Sequence, residues 1–317
     1  MPSYTVIPVD RTPIAVAISP NGAYVYVTNR AGTVSVIDTS SRTVVRTLTA
    51  SPGTPFGGPF GLAVGARVYV TESNTGTVSV IDPTSFAVVQ TIPVGTSPHG
   101  VALHPRASRA YVANYVGTVS VIDTTTNTVV TTIPIGTTGG GPAGIAPGPV
   151  QVAVTPRRLR AYVTIPWWDS VSVIDTAANM EIATIPVGSR PWGVAVTPSG
   201  DQVYVANPGS DTVSVIDTAT DTVVAMIAVG PGPTGVAVDP GGNYVFVSNT
   251  ADFATGAPDA HTVMVIDISS NTVVDILAPV GLEPGGLVAT ATNVYVAYEF
   301  ENPPGPALTG IVAVFDR

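Results

Sequence analysis

Short apolar runs follow one another along almost the whole chain, each closed by Gly, Pro, Asn, Asp or Thr. The most regular stretch reads Trp192-Gly-Val-Ala-Val-Thr-Pro-Ser-Gly-Asp-Gln-Val-Tyr-Val-Ala-Asn207, then Asp211-Thr-Val-Ser-Val-Ile-Asp217, then Thr222-Val-Val-Ala-Met-Ile-Ala-Val-Gly230. The runs are rich in Val, Ile and Tyr, which favour extended backbone. Many, such as Val213-Ser-Val-Ile-Asp217, lack clean polar alternation, as expected of strands in a sheet covered on both faces. The pattern predicts a unit of four strands joined by tight turns.

That unit recurs. The third run ends in aspartate seven times, at Asp38, Asp82, Asp123, Asp175, Asp217, Asp267 and Asp316, with spacings of 44, 41, 52, 42, 50 and 49 residues. The second run recurs around Tyr26, Tyr69, Tyr111, Tyr162, Tyr204, Phe246 and Tyr295, and the first begins near Ile14, Phe60, His99, Val150, Trp192, Thr234 and Gly285. A period of about 40 to 50 residues is the signature of propeller blades. The chain is therefore expected to be all-β: one seven-bladed β-propeller domain over residues 1–317, with four antiparallel strands per blade. The last copy stops at Asp316-Arg317 after its third strand, while Tyr4-Thr-Val-Ile-Pro-Val9 matches a fourth strand. Strand 4–9 is thus expected to complete blade seven, removing two open sheet edges.

The segment Tyr26-Val27-Thr28-Asn29, with weaker copies at Tyr69-Val-Thr-Glu72, Tyr111-Val-Ala-Asn114, Tyr204-Val-Ala-Asn207 and Phe246-Val-Ser-Asn249, resembles the YVTN family of β-propeller repeats. The resemblance covers essentially the whole chain. It implies the fold and a scaffold of the kind shared by surface-layer and periplasmic propellers, and it implies no activity.

Composition narrows the chemistry. Net charge is −9 and all twelve basic residues are arginine. An acidic surface repels phosphate backbones, so nucleic acid is not an expected partner. With no cysteine there are no disulfides, thiolate sites or cysteine nucleophile. The N-terminus lacks the basic and apolar segments of a signal peptide, and no apolar run reaches membrane-spanning length. A soluble monomer is expected, its compartment open between cytoplasm and secretion.

In such blades the connections between strands one and two and between three and four share one face, and the remaining connections share the other. The first face has stereotyped turns, where the recurrent aspartates are expected to cap their own hairpins. The second holds the long insertions at 136–149, 250–262 and 299–310 and the approach 49–59 to blade two, and long loops on a rigid scaffold are where binding function lives. There the residues after each Pro, from Ile14 to Gly285, should ring the mouth of the central channel.

Of three histidines, His104 reads as a turn residue, and His261 as a loop residue that is also a ligand candidate. His99 at the mouth is the candidate acid or base, against a packed role. Glu72, replacing Asn in the second copy, is its candidate helper or the ligand of a hard divalent ion, although no metal-ligand spacing supports a metal and no cofactor is required. Phe60, Tyr115, Trp167, Trp168, Trp192 and Tyr298, with Arg190 and Glu299, are the candidate ligand contacts; the aromatics have rim packing as the alternative. Two functions stand open: a module binding a small molecule or protein partner on the loop-rich face, and a small-molecule lyase or hydrolase using His99 with Glu72.

Overall fold

The computed structural model describes residues 4–136, 146, 148–250, 261–277, 282–299 and 310–317. Among these residues seven four-stranded antiparallel sheets are arranged as blades, and one short 3₁₀ turn occupies Pro166–Trp168. Blades one to six each use four consecutive strands. Blade seven combines Leu282–Ala289, Asn293–Glu299 and Gly310–Asp316 with the N-terminal strand Tyr4–Val9, which pairs from Tyr4 opposite Phe315 to Val9 opposite Gly310. Innermost strands touch blade to blade around the ring, and Leu282–Ala289 meets Pro13–Ile18 to close it.

The repeat residues explain why the ring holds. The central tyrosines of the second strands are buried between blades, and four of the hydroxyls reach forward along the ring. Tyr69, Tyr111, Tyr162 and Tyr204 donate to Asn127, Asn179, Asp221 and Asn271 of the following blade at 2.8, 3.3, 2.5 and 2.8 Å. These acceptors occupy the left-handed position of the turn before strand four, with φ of 52° in all four, where Asn and Asp are the tolerated side chains. Asp38 accepts the backbone N–H groups of Ser40 and Ser41 at 3.0 and 2.8 Å. Asp82, Asp123, Asp175 and Asp217 repeat this bonding two and three residues on, so the ring of aspartates is turn chemistry. Asp316 closes the circle instead, pairing with Arg42 of blade one and accepting from Asn293 Nδ2 at 2.8 Å.

No helix among the described residues is long and apolar enough to cross a membrane.

Candidate functional site

Each innermost strand enters after a proline, and in blades one, two, three, six and seven the pairing register shifts just beyond it. Such a bulge leaves an N–H without a ladder partner. The third residue of the Tyr-Val-Thr-Asn segment supplies one: Thr28, Thr71 and Ser248 accept from Ala15, Gly61 and Gly235 at 3.1, 2.8 and 2.8 Å. The same hydroxyls donate to the carbonyls of Phe60, His99 and Gly285 in the next blade at 2.7, 2.5 and 2.7 Å. Thr164 likewise joins Gln151 to Trp192. Glycine is required where the strands approach: a Cβ on Gly61, Gly193, Gly235 or Gly286 would collide with the carbonyl oxygen of His99, Thr234, Gly285 or Ile14. The mouth is therefore a rigid backbone ring carrying variable side chains.

Within it lies a cavity of about 370 Å³ walled by Ile14, Phe60, Trp192, Thr234 and Gly285, with Arg30, Gln151 and Glu283 among its polar neighbours. Five of the seven residues expected at the mouth thus meet in one space. His99 and Val150 stand outside its lining.

His99 is stacked rather than poised for proton transfer. Its ring lies on Phe60 with centroids 4.3 Å apart and planes 11° from parallel, and Tyr115 covers it at 5.1 Å. Nε2 sits 3.5 Å from Ser97 Oγ, while the buried Nδ1 has no hydrogen-bond partner. Burial pushes the imidazole down to about 4, and the Arg30 guanidinium acts in the same direction. At neutral pH it is an uncharged, weakly basic ring that supports Phe60. Because the unfolded chain takes up this proton near 6.5 and the folded chain only near 4, stability is full above about pH 6.5 and falls as the pH drops through that window. His99→Phe should reduce the loss of thermal midpoint between about pH 7 and about pH 4.5, leaving the smaller part due to His104, which burial also lowers. Equal acid sensitivity in variant and wild type would refute this account of His99.

Glu72 has other work. Its buried carboxylate accepts the Gly57 N–H at 2.6 Å and the Ser79 hydroxyl at 2.5 Å. Asn29, Asn114 and Asn207 occupy the same place and donate to Ser35, Ser120 and Ser214, each at 2.9 Å. In blade four Ile165 stands there, and Glu181 reaches the seam from the fourth strand, accepting Ser172 at 2.7 Å and the Gly136 N–H at 3.0 Å. Glu72 is thus the blade-two form of a seam between blades. No hydrogen bond joins it to His99, and among the described residues no three His, Asp or Glu side chains gather as a metal site.

The aromatics divide. Trp192 lines the cavity, whereas Trp168 packs on the core between blades three and four and lies against Gly136. Trp167 is 48% exposed, and its Nε1 donates to the Tyr115 hydroxyl at 2.7 Å. Phe60, His99, Tyr115 and Trp167 therefore form a continuous run of rings from cavity to rim. Tyr298 is fully buried with Phe246, Leu287 and Phe315, which makes it a packing residue instead of the expected ligand contact. Arg190 is exposed outside the cavity lining, its N–H donating to Asp169 at 2.7 Å. His261 accepts the Glu283 N–H on Nδ1 at 3.1 Å, tying its loop to the start of blade seven. The side chain of Glu299 and most of the three long insertions, including Asp252, Phe253, Asp259, Phe300 and Glu301, lie outside the described residues.

No family model and no curated protein sequence matches the chain. Among solved structures, a chain of the hydrazine synthase of Kuenenia stuttgartiensis is similar over 98% of this chain and 97% of its own, at 22% identity and a TM-score of 0.79. At that identity the likeness is one of fold, and it extends over the full ring of seven blades.

Proposed function

We propose that this chain is a binding propeller whose channel mouth takes a small molecule with an apolar or aromatic body and a polar end. The observation that supports this reading is the contrast at the mouth: a backbone built to one pattern walls a cavity of about 370 Å³ furnished with the unlike side chains Phe60, Trp192, Arg30 and Gln151. Small-ligand sites are concave, mostly apolar and carry a few placed polar groups. Arg30 is exposed and joins no ion pair among the described residues, leaving its guanidinium for a polar or anionic end. A protein partner on the same rim is the second reading, favoured by the exposed indole of Trp167.

Two tryptophan variants test the proposal. Trp192→Ala should abolish retention of the aromatic compounds that the wild-type chain holds in ligand-observed NMR, at a stability cost of about 1 kcal/mol, since it removes a cavity wall rather than a core residue. Trp168→Ala should cost about 3 kcal/mol by leaving a void against the blade-four core, with binding retained in the folded fraction. Retention of the same compounds by Trp192→Ala would move the site elsewhere.

A further inference from the structure

On the turn-rich face two neighbouring loops depart from the repeat by gaining positive charge. In blades one, five and six the loop joining the first two strands is Ser19-Pro-Asn-Gly22, Thr197-Pro-Ser-Gly200 and Asp239-Pro-Gly-Gly242. Blades three and four read His104-Pro-Arg-Ala-Ser-Arg109 and Thr155-Pro-Arg-Arg-Leu-Arg160. Pro-Arg-x-x-Arg recurs at the same position of neighbouring blades, which sets the two loops beside each other. Five of the twelve basic residues of a chain with net charge −9 fall in these two loops.

The arginines differ in their commitments. The last of each loop serves the turn: Arg109 pairs with Asp123, and Arg160 with Asp175 at 3.0 Å. Blade two does the same through Arg67 and Asp82 at 2.7 Å. Arg106 and Arg157 are surplus to that scheme, exposed and in no ion pair among the described residues. Arg158 reaches only the exposed Asp201, at 3.8 Å. Between the loops is a cleft of about 510 Å³ lined by all four of Arg106, Arg109, Arg157 and Arg158, with His104 and Thr176. The Thr176 hydroxyl is buried and has no hydrogen-bond partner. His104 Nδ1 accepts the N–H groups of Arg106 and Ala107 at 3.1 and 2.9 Å, which fixes the backbone that carries Arg106.

Guanidinium groups gathered without matching carboxylates repel one another, and the planar fork of each matches the oxygens of a phosphoryl group. We propose that the cleft between blades three and four is an anion site for a small phosphoryl compound carrying two or more negative charges, held by Arg106, Arg157 and Arg158. The size of the cleft and the acidity of the surrounding chain favour a small anion over an extended one, because a long polyanion would lie against repelling surface.

The test is calorimetric titration of the full chain with inorganic pyrophosphate at low ionic strength, where screening is weak. One saturable site is expected. Arg106→Gln/Arg157→Gln should weaken it about tenfold or more, the scale of two charge-assisted contacts. Arg11→Gln/Arg46→Gln makes the same change in net charge on exposed arginines away from the cleft and should stay within roughly twofold. All three proteins should share one thermal midpoint, since the altered side chains are exposed. Absence of saturable binding, equal loss in the two double variants, or capture of an oligo-glutamate peptide in preference to pyrophosphate would overturn the proposal. Trp192→Ala should leave pyrophosphate binding unchanged, so this site and the channel mouth stand or fall separately.

Discussion

Removing residues 1–9 should open the ring and abolish a cooperative unfolding transition near that of the intact chain. The strand Tyr4–Val9 is the outer strand of blade seven, and its inward side chains Ile7 and Val9 are buried at the junction of blades seven and one, among Val16, Val25, Val27, Val312 and Val314. Burying two such side chains contributes about 3–6 kcal/mol, before the antiparallel hydrogen bonds to Gly310–Asp316 are added. Against a whole-domain stability of about 5–15 kcal/mol, losing both contributions leaves little. The freed strand Gly310–Asp316 would also present an apolar edge, so self-association should accompany the loss. Ile7→Ala provides a milder version, expected to cost about 2–5 kcal/mol without exposing an edge. Thermal melts with sedimentation analysis decide the matter: a residue 10–317 chain that stays monomeric and melts within a few degrees of the intact protein would refute the closure argument.

The blades, the pairing of residues 4–9 with the last copy and the capping aspartates are all legible in the sequence, because each depends on residues near one another in the repeat or on copies compared in register. What escapes it is contact across blades. Glu72 looks like a free carboxylate until the Gly57 N–H of the connection from blade one and Ser79 of its own third strand are seen to enclose it. The signal is present in the alignment of copies, since Glu72 stands where Asn29, Asn114 and Asn207 make the same serine contact. His99 is decided by Phe60 from blade two and Tyr115 from its own rim, a stack that no spacing rule reveals. Loop membership groups the three tryptophans together, yet one lines a cavity, one packs a seam and one is exposed, because loop membership does not determine direction. The Pro-Arg-x-x-Arg pair is visible as charge but acquires meaning only once the two loops are placed side by side.

Raising the pH above about 10 should unfold the protein in a single transition with ionisation of its buried inter-blade tyrosines, rather than titrate those tyrosines in the folded state. Burial is the main cause raising Tyr26 and Tyr204 to about 12, and it also raises Tyr69, Tyr111, Tyr162 and Tyr295, the other tyrosines at this place in the repeat. Above the unfolded value of about 10 the unfolded chain releases protons that the folded chain retains, so stability falls as pH rises through the folded values. Each tenfold difference in proton affinity between the folded and unfolded chain corresponds to about 1.4 kcal/mol, and six linked groups together bear on most of an ordinary domain's stability. The tyrosinate absorbance of these six and the loss of β-sheet circular dichroism should therefore rise together; absorbance exceeding that of the five tyrosines outside this set, in a chain with an intact β spectrum, would be the contrary result. The individual members are not equal. Tyr26 shares a core cluster with Phe86, which takes the left-handed turn position filled by Asn127 or Asn271 in other blades, and its buried hydroxyl has no partner. Tyr26→Phe should thus leave stability at neutral pH within about 0.5 kcal/mol of wild type, or improve it, while weakening the alkaline loss. Blade six already carries Phe246 at this position. Tyr204→Phe strips Asn271 of its donor and should cost about 1 kcal/mol at neutral pH, and the difference between these two otherwise identical deletions isolates the worth of the forward hydrogen bond.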